Sequence, residues 1–237
     1  SLVATGHYAR KEHLPGENRF CITEGRDLSK DQSYVLFGLG QDQLRQIMLP
    51  VGDMEKNDVR ILAEEMGLRV HAKPDSQEIC FVAGRYGDFV KKYSPERLPG
   101  SGALVDVQGK VVGTHPGCHD FTVGQKKRLR LDGNPEYFVT AIRSETNEVV
   151  VGPEARLFAD GMNVQRVNWQ LSPRLGEIHV KIRSRHAKTP AQILSIDGAQ
   201  VRVRFHEPQK AVTPGQAAVF YDGIRVLGGG WIESASN

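Results

Sequence analysis

The chain has 237 residues and a formal net charge of +3, from 31 Lys and Arg against 28 Asp and Glu. That length allows one large or two to three small domains with a sizeable core. With 39% hydrophobic and 25% charged residues it has the composition of a soluble globular protein, and no run approaches the ~20 apolar residues that a membrane span needs. Three cysteines, an odd number at wide spacing, argue against a disulfide framework and against a CxxC metal site, and they suit a reducing, cytoplasmic location. The opening Ser1–Gly6 is a β-like run without the basic and apolar regions of a signal peptide.

In chain order, Leu2–Thr5 reads as a short strand that ends at Gly6-His7. Asp31–Leu39 is expected as a helix, followed by Gln41–Ile47. Val59, Leu62, Ala63 and Met66 recur at i, i+3, i+4 and i+7, which predicts a helix started by Asn57 or Asp58 and ended by Gly67. A strand is expected at Ile79–Val82. Strand, helix, strand is the rhythm of a parallel sheet, and too few strands are present for a doubly wound fold. Residues 1–82 therefore read as the α/β tail of a larger domain.

From Leu98 onward the pattern turns to β. Hairpins are predicted for Ala103–Val107 with Lys110–Thr114, and for Tyr137–Ile142 with Glu148–Val151. A second β block runs from Val164. Ile178, Val180 and Ile182 alternate with His179, Lys181 and Arg183, giving one apolar and one basic, solvated face. Asp197-Gly198 and Asp222-Gly223 are two-residue hairpin turns between alternating runs. Evenly spaced short strands with tight turns predict a small closed barrel. The expected domains are 1–82, a central β-rich 83–163 and a barrel at 164–237, with 152–163 as the linker. Charge follows these divisions unevenly: residues 1–82 have net −3 and residues 164–237 have net +5. A basic C-terminal third is compatible with a polyanionic partner, and equally with an ordinary solvated surface.

The residue with the most chemical promise is Cys80, at the head of the short apolar strand and behind the polar, Pro-broken run Ala72-Lys73-Pro74-Asp75-Ser76-Gln77-Glu78. A thiol so placed can be both fixed and reachable, as thiolate chemistry requires. The competing reading is a small buried hydrophobe beside Ile79, Phe81 and Val82. Cys21 and Cys118 read as structural.

The run Asp75-Ser76-Gln77-Glu78-Ile79-Cys80-Phe81 resembles the Asp-Ser-x-x-Ile-Cys-Phe motif of the tRNA-specific 2-thiouridylases. In that family the cysteine carries a persulfide, and a thiol can accept, present and release sulfane sulfur through disulfide exchange. Further segments resemble the family in order. Ala4-Thr5-Gly6-His7-Tyr8 is one, and it implies an ATP contact at Gly6 and a tRNA contact at His7. Lys30-Asp31-Gln32-Ser33-Tyr34 is another, with Lys30, Asp31 and Gln32 implied on tRNA. Phe121-Thr122-Val123-Gly124-Gln125-Lys126-Lys127-Arg128 departs from the family's Arg-Lys-Gly ending. Lys181-Ile182-Arg183-Ser184-Arg185 stands where relatives read Lys-x-Arg-Tyr-Arg. The resemblance implies Arg183 and Ser184 on tRNA, although Ser184 replaces an aromatic ring. Thr213-Pro214-Gly215-Gln216 through Tyr221 implies an RNA contact at Gln216.

The family's phosphate loop and its first catalytic cysteine do not occur in the sequence, and Ser1 stands just beyond both. The resemblance therefore implies the C-terminal portion of an ATP-dependent sulfurtransferase. Its first domain would be the remnant of a nucleotide-binding, adenine nucleotide alpha hydrolase-like fold, followed by two small β domains. Implied partners are tRNA and a sulfur-donor protein, a cysteine desulfurase or a sulfur-relay protein. Mg²⁺ is expected with ATP, without a metal cluster visible in the sequence. The alternatives are a non-catalytic tRNA-binding module and an interaction barrel like those of translation factors.

Overall fold

The structure, a computed structural model, describes residues 1–69, 93, 98–126, 129 and 136–237. The expected strand at Ile79–Val82 and the motif around Cys80 lie outside the described residues. Packing divides the chain into two compact units, Ser1–Lys73 with Ala159–Asn237, and Pro74–Phe158.

The first unit begins with β1 (Val3–Ala4), the hairpin β2 (Ala9–Leu14) and β3 (Arg19–Glu24), α1 (Gln41–Gln46), β4 (Ile47–Met48) and α2 (Lys56–Glu65). β1 pairs in parallel with β4, Val3 opposite Ile47, so the parallel rhythm is present in miniature. α2 appears where the 3.6-residue period places it, and Gly67 follows it at φ +68°. Its apolar stripe buries nothing fully: Leu62 and Met66 remain 44% and 66% exposed.

The helix expected over Asp31–Leu39 is reduced to a single 3-10 turn, Ser33–Leu36. The Asp31 carboxylate explains the difference. It accepts hydrogen bonds from the Gly25 and Ser33 amides at 3.0 and 3.2 Å and from the Ser33 hydroxyl at 2.8 Å, a local competitor of helical bonding. Tyr34, Leu36 and Phe37 are then drawn into a cluster with Val219, Tyr221 and Val226.

In the second unit, β5 (Gly102–Val105), β6 (Val111–His115), β7 (Phe138–Arg143) and β8 (Glu148–Gly152) form a four-stranded sheet in the order β6-β5-β8-β7. Both expected hairpins form here. Asp106 shapes the first turn by accepting from the Gln108 and Lys110 amides, both at 2.9 Å. Leu104, Val139, Val149 and Val151 pack with Cys118 and Phe121 as the core of this unit.

The stretch 152–163, expected as a linker, is instead a 3-10 turn at Glu154–Leu157 and the start of a long strand, β9 (Phe158–Trp169). Ala159, Gly161 and Met162 are buried there, and the polar Asp160 and Asn163 interrupt the run and hide its strand character. β10 (Gly176–Lys181), β11 (Thr189–Asp197), β12 (Gln200–Lys210), β13 (Ala217–Asp222) and β14 (Arg225–Ser236) follow. Their order is β13-β10-β11-β12-β9-β14, and β13 also pairs with β14, which closes a six-stranded barrel. Gly198 and Gly223 take φ of +55° and +57° in the two tight hairpins. Ile178, Val180, Ile193, Val203, Phe220 and Ile232 fill the interior.

The β2–β3 hairpin joins the same sheet, β3 lying beside β14 with Thr23 opposite Arg225. β10 ends at Lys181, so Arg183 is not on a strand face as the alternation suggested. Residues 182–186 turn away instead, with the His186 amide donating to the Arg183 carbonyl at 3.1 Å.

Candidate functional site

The sequence candidates described by the structure are connected residue to residue within the first unit. Gly6 is exposed at the end of β1, and a Cβ added there would meet nothing within 4 Å, so its backbone is open to a ligand. His7 Nδ1 lies 2.9 Å from the Thr5 hydroxyl. The next residue, Tyr8, exchanges two hydrogen bonds with Gln32: its amide donates to Gln32 Oε1 at 3.0 Å, and its carbonyl accepts from the Gln32 amide at 2.8 Å. The Gly6-His7 segment and the Lys30–Gln32 segment are thus one substructure. Lys30 is half-buried, its amide donating to the Asp27 carbonyl at 3.0 Å.

Asp31 ties this substructure to the barrel. Its side chain is only 4% exposed, and Lys181 of β10 places Nζ 3.8 Å from Oδ2 with 11% exposure of its own. The expected solvated lysine is therefore an internal counter-ion. Ser33, which donates to Asp31, is 3.1 Å from the Tyr221 hydroxyl; burial raises the Tyr221 pKa further above its ordinary value, the Ser33 contact opposing that. The Tyr34 hydroxyl donates to the Ala217 carbonyl at 2.9 Å, and burial pushes its pKa up to about 12. Lys188 adds a further brace, donating to Glu24 Oε2 and to the Gly223 carbonyl, both at 2.8 Å.

Arg183 connects onward. Its Nη2 donates to the Ala211 carbonyl and the Thr213 hydroxyl, both at 3.0 Å. Ala211 itself takes φ +57°, a conformation a non-glycine residue adopts only when its surroundings hold it. The turn continues with the Gln216 amide donating to the Thr213 carbonyl at 3.2 Å, which leaves the Gln216 side chain exposed. Ser184 is exposed in the turn after Arg183. Gly6, Ser184 and Gln216 are presented outward, whereas Asp31 is committed inward and Arg183 braces the Gln216 loop.

Gln170 escaped the sequence reading. It is fully buried; Oε1 accepts from the Ile22 amide at 2.8 Å and Nε2 donates to the Leu36 carbonyl at 2.9 Å. A glutamine between Trp169 and Leu171 gives no local signal of such a role. Cys21 and Cys118 are both buried and free, as structural cysteines should be, and burial pushes the Cys21 thiol up to about 12. Among the described residues, no three His, Cys, Asp or Glu side chains converge as a metal site would require, and no helix is long and apolar enough to cross a membrane.

Comparison with known proteins adds the missing context. Three family models match in sequence: a tRNA methyl transferase HUP domain over residues 1–84, a tRNA methyl transferase PRC-barrel domain over 87–153, and an aminomethyltransferase beta-barrel domain over 159–232. The chain is 45% identical to the tRNA-specific 2-thiouridylase MnmA of Geotalea uraniireducens, across 100% of its own length and 63% of that protein. It is 44% identical to the Geobacter metallireducens MnmA over 99% of the chain and 64% of the relative. The Nostoc punctiforme MnmA is 41% identical over 99% of the chain and 67% of the relative. The chain thus spans about two thirds of the length of these relatives, and less than that of the first two. Identity at this level along the whole of its length means that the chain belongs to the tRNA-specific 2-thiouridylase family.

Proposed function

We propose that this chain is the sulfur-presenting and tRNA-holding part of an ATP-dependent tRNA-uridine 2-sulfurtransferase. The observation that carries this reading is 41–45% identity to the three thiouridylases along the whole chain, together with the Asp75–Phe81 run of the sequence. Residues 1–82 would be the end of a nucleotide-binding domain, 83–158 a central domain and 159–237 the RNA-binding barrel, whose core takes in Ala159 and Met162. The open backbone of Gly6, at the end of a parallel strand, is where a nucleotide can approach such a sheet. ATP would supply activation of the uridine C2 oxygen as a leaving group.

Cys80 would receive sulfane sulfur from a persulfide-bearing donor protein and hold it as a terminal S–SH. That sulfur bonds to uridine C2 as the activated oxygen departs. A second thiol, outside this sequence, attacks Cys80 Sγ and breaks the S–S bond, leaving a disulfide for a dithiol reductant to reopen. His7, Lys30, Gln32, Ser184 and Gln216 would meet the RNA. Asp31 and Arg183 would serve it by bracing: a carboxylate only 4% exposed is too buried to reach the RNA, but through Lys181 it locks the Lys30–Gln32 loop to β10. The model names speak of methyl transfer; a reactive cysteine motif and the relatives' names favour sulfur.

The test is Cys80→Ser in a polypeptide extended to the full length of its relatives. Thiolation of unmodified tRNA, read by mobility in a thiol-sensitive gel, should be abolished while tRNA affinity stays within about twofold. Cys21→Ser and Cys118→Ser should retain activity. Thiolation at the wild-type rate in Cys80→Ser would sink the assignment.

A further inference from the structure

The chain has two tryptophans, and they sit differently. Trp169 packs against Phe220 at a ring separation of 5.7 Å, with its indole nitrogen buried. Trp231 is 44% exposed. Its neighbour Ile232 enters the barrel interior, so strand alternation turns Trp231 to the outside. There Phe37 meets its ring edge-on, with centroids 5.8 Å apart and planes at 75°. Gly229 makes that contact possible, since a Cβ in its place would come within 2.8 Å of Phe37 Cδ2. The indole is thus oriented by a neighbour and still presented to solvent.

Its position is as informative as its exposure. Trp231 stands opposite Ala217 in the β13–β14 ladder. Gln216 therefore lies one residue away, and its carbonyl accepts from the Ile232 amide at 2.8 Å. The Gln216 turn is in turn held by Arg183 through Thr213. Exposed Arg185 and Ser184 follow Arg183, a turn with no Trp, Tyr or Phe of its own. Residues 164–237 carry net +5. A fixed, exposed aromatic face on a barrel segment of net positive charge is the kind of part from which proteins build sites for unstacked bases.

We propose that Trp231 is a stacking platform for an unpaired base of the bound RNA. This rests on the reading of the barrel as an RNA surface. An uncharged ring contributes to affinity without releasing counter-ions, so its contribution is separable from that of the cations.

The experiment titrates unmodified tRNA into the protein and follows tryptophan emission, together with filter-binding affinity at several salt concentrations. Wild type should bind with strong quenching of the exposed indole. Trp231→Leu, which keeps apolar cover on the barrel wall, should bind about tenfold more weakly with an unchanged salt slope. Trp231→Phe should stay within about threefold of wild type, and Arg185→Ala should lower the slope by roughly 0.7–0.9. If wild type binds without quenching, or Trp231→Leu binds as wild type does, the stacking platform is refuted while the RNA surface stands. If wild type does not bind tRNA at all, the RNA reading falls and takes the platform with it. The quenching arm uses the unaltered protein, so a variant that failed to fold would not leave the question open.

Discussion

The barrel wall carries an apolar layer on each side, and the two layers are held in different ways. Inside, Ile178, Val180, Val203, Phe220 and Ile232 interlock as an uninterrupted hydrophobic core. Outside, Ala217, Val219 and Tyr221 are covered by Tyr34, Leu36, Phe37 and Leu44 from the N-terminal segment, and polar pins run through this layer. Asp31 with Lys181, Ser33 with Tyr221 and Gln170 with Ile22 and Leu36 all cross it. The inner layer needs only the right periodicity. The outer one needs particular donors and acceptors to meet across more than a hundred residues of sequence, and it is the outer one that joins the candidate RNA-binding segments into a single substructure.

The comparison can be broken most directly by removing one member of each layer. Phe220→Ala, a large cavity inside the barrel, should cost about 3–5 kcal/mol. Gln170→Leu keeps the volume but strips the Ile22 amide of its side-chain partner, at about 1–3 kcal/mol for that buried group, while the Leu36 carbonyl keeps the Leu39 amide at 3.2 Å. Urea unfolding would measure both. If Gln170→Leu were neutral while Phe220→Ala was severe, the outer layer would be held by apolar contact alone.

A smaller effect is expected at the Asp31–Lys181 pair. Lys181→Met removes the counter-ion, but Asp31 keeps its hydrogen bonds to Gly25 and Ser33. The expected loss is about 1–2 kcal/mol, below the range for stripping a buried charge of all its partners. Lys181→Arg should recover part of it. The functional counterpart is tRNA affinity: Lys181→Met should weaken it, although Lys181 is too buried to meet a phosphate backbone.

The smallest effect is one of pH. His186, in the turn after Arg183, is held below its ordinary pKa by burial first and by the Arg183 charge second. The folded state thus resists protonation that the unfolded state accepts. Above the unfolded value near 6.5 there is no penalty; as pH falls from there toward the lower folded value, stability is lost, and then levels off. Urea midpoints at pH 7.5 and 5.5 should differ, and His186→Gln should shrink the difference. An unchanged difference would mean that His186 does not carry this pH response.

The periodicities of the chain determined much of this protein on their own. Alternation at 178–182 and the two Asp-Gly turns located the barrel hairpins, because a half-buried strand and a two-residue turn both write themselves locally. The i, i+3, i+4, i+7 pattern located α2, and ordered motifs pointed to the family. Tertiary structure alone decided the rest. Asp31–Leu39 has helical spacing, but the Asp31 carboxylate and the pull of Val219 and Tyr221 on the far side of the chain left a single turn. The 152–163 stretch looked like a linker because Asp160 and Asn163 mask a strand that only its partners β12 and β14 reveal. Lys181 looked solvated because alternation says which face a side chain takes and nothing about what comes to cover that face. The carboxylate that does so lies 150 residues earlier, and non-local pairing of that kind has no local signature.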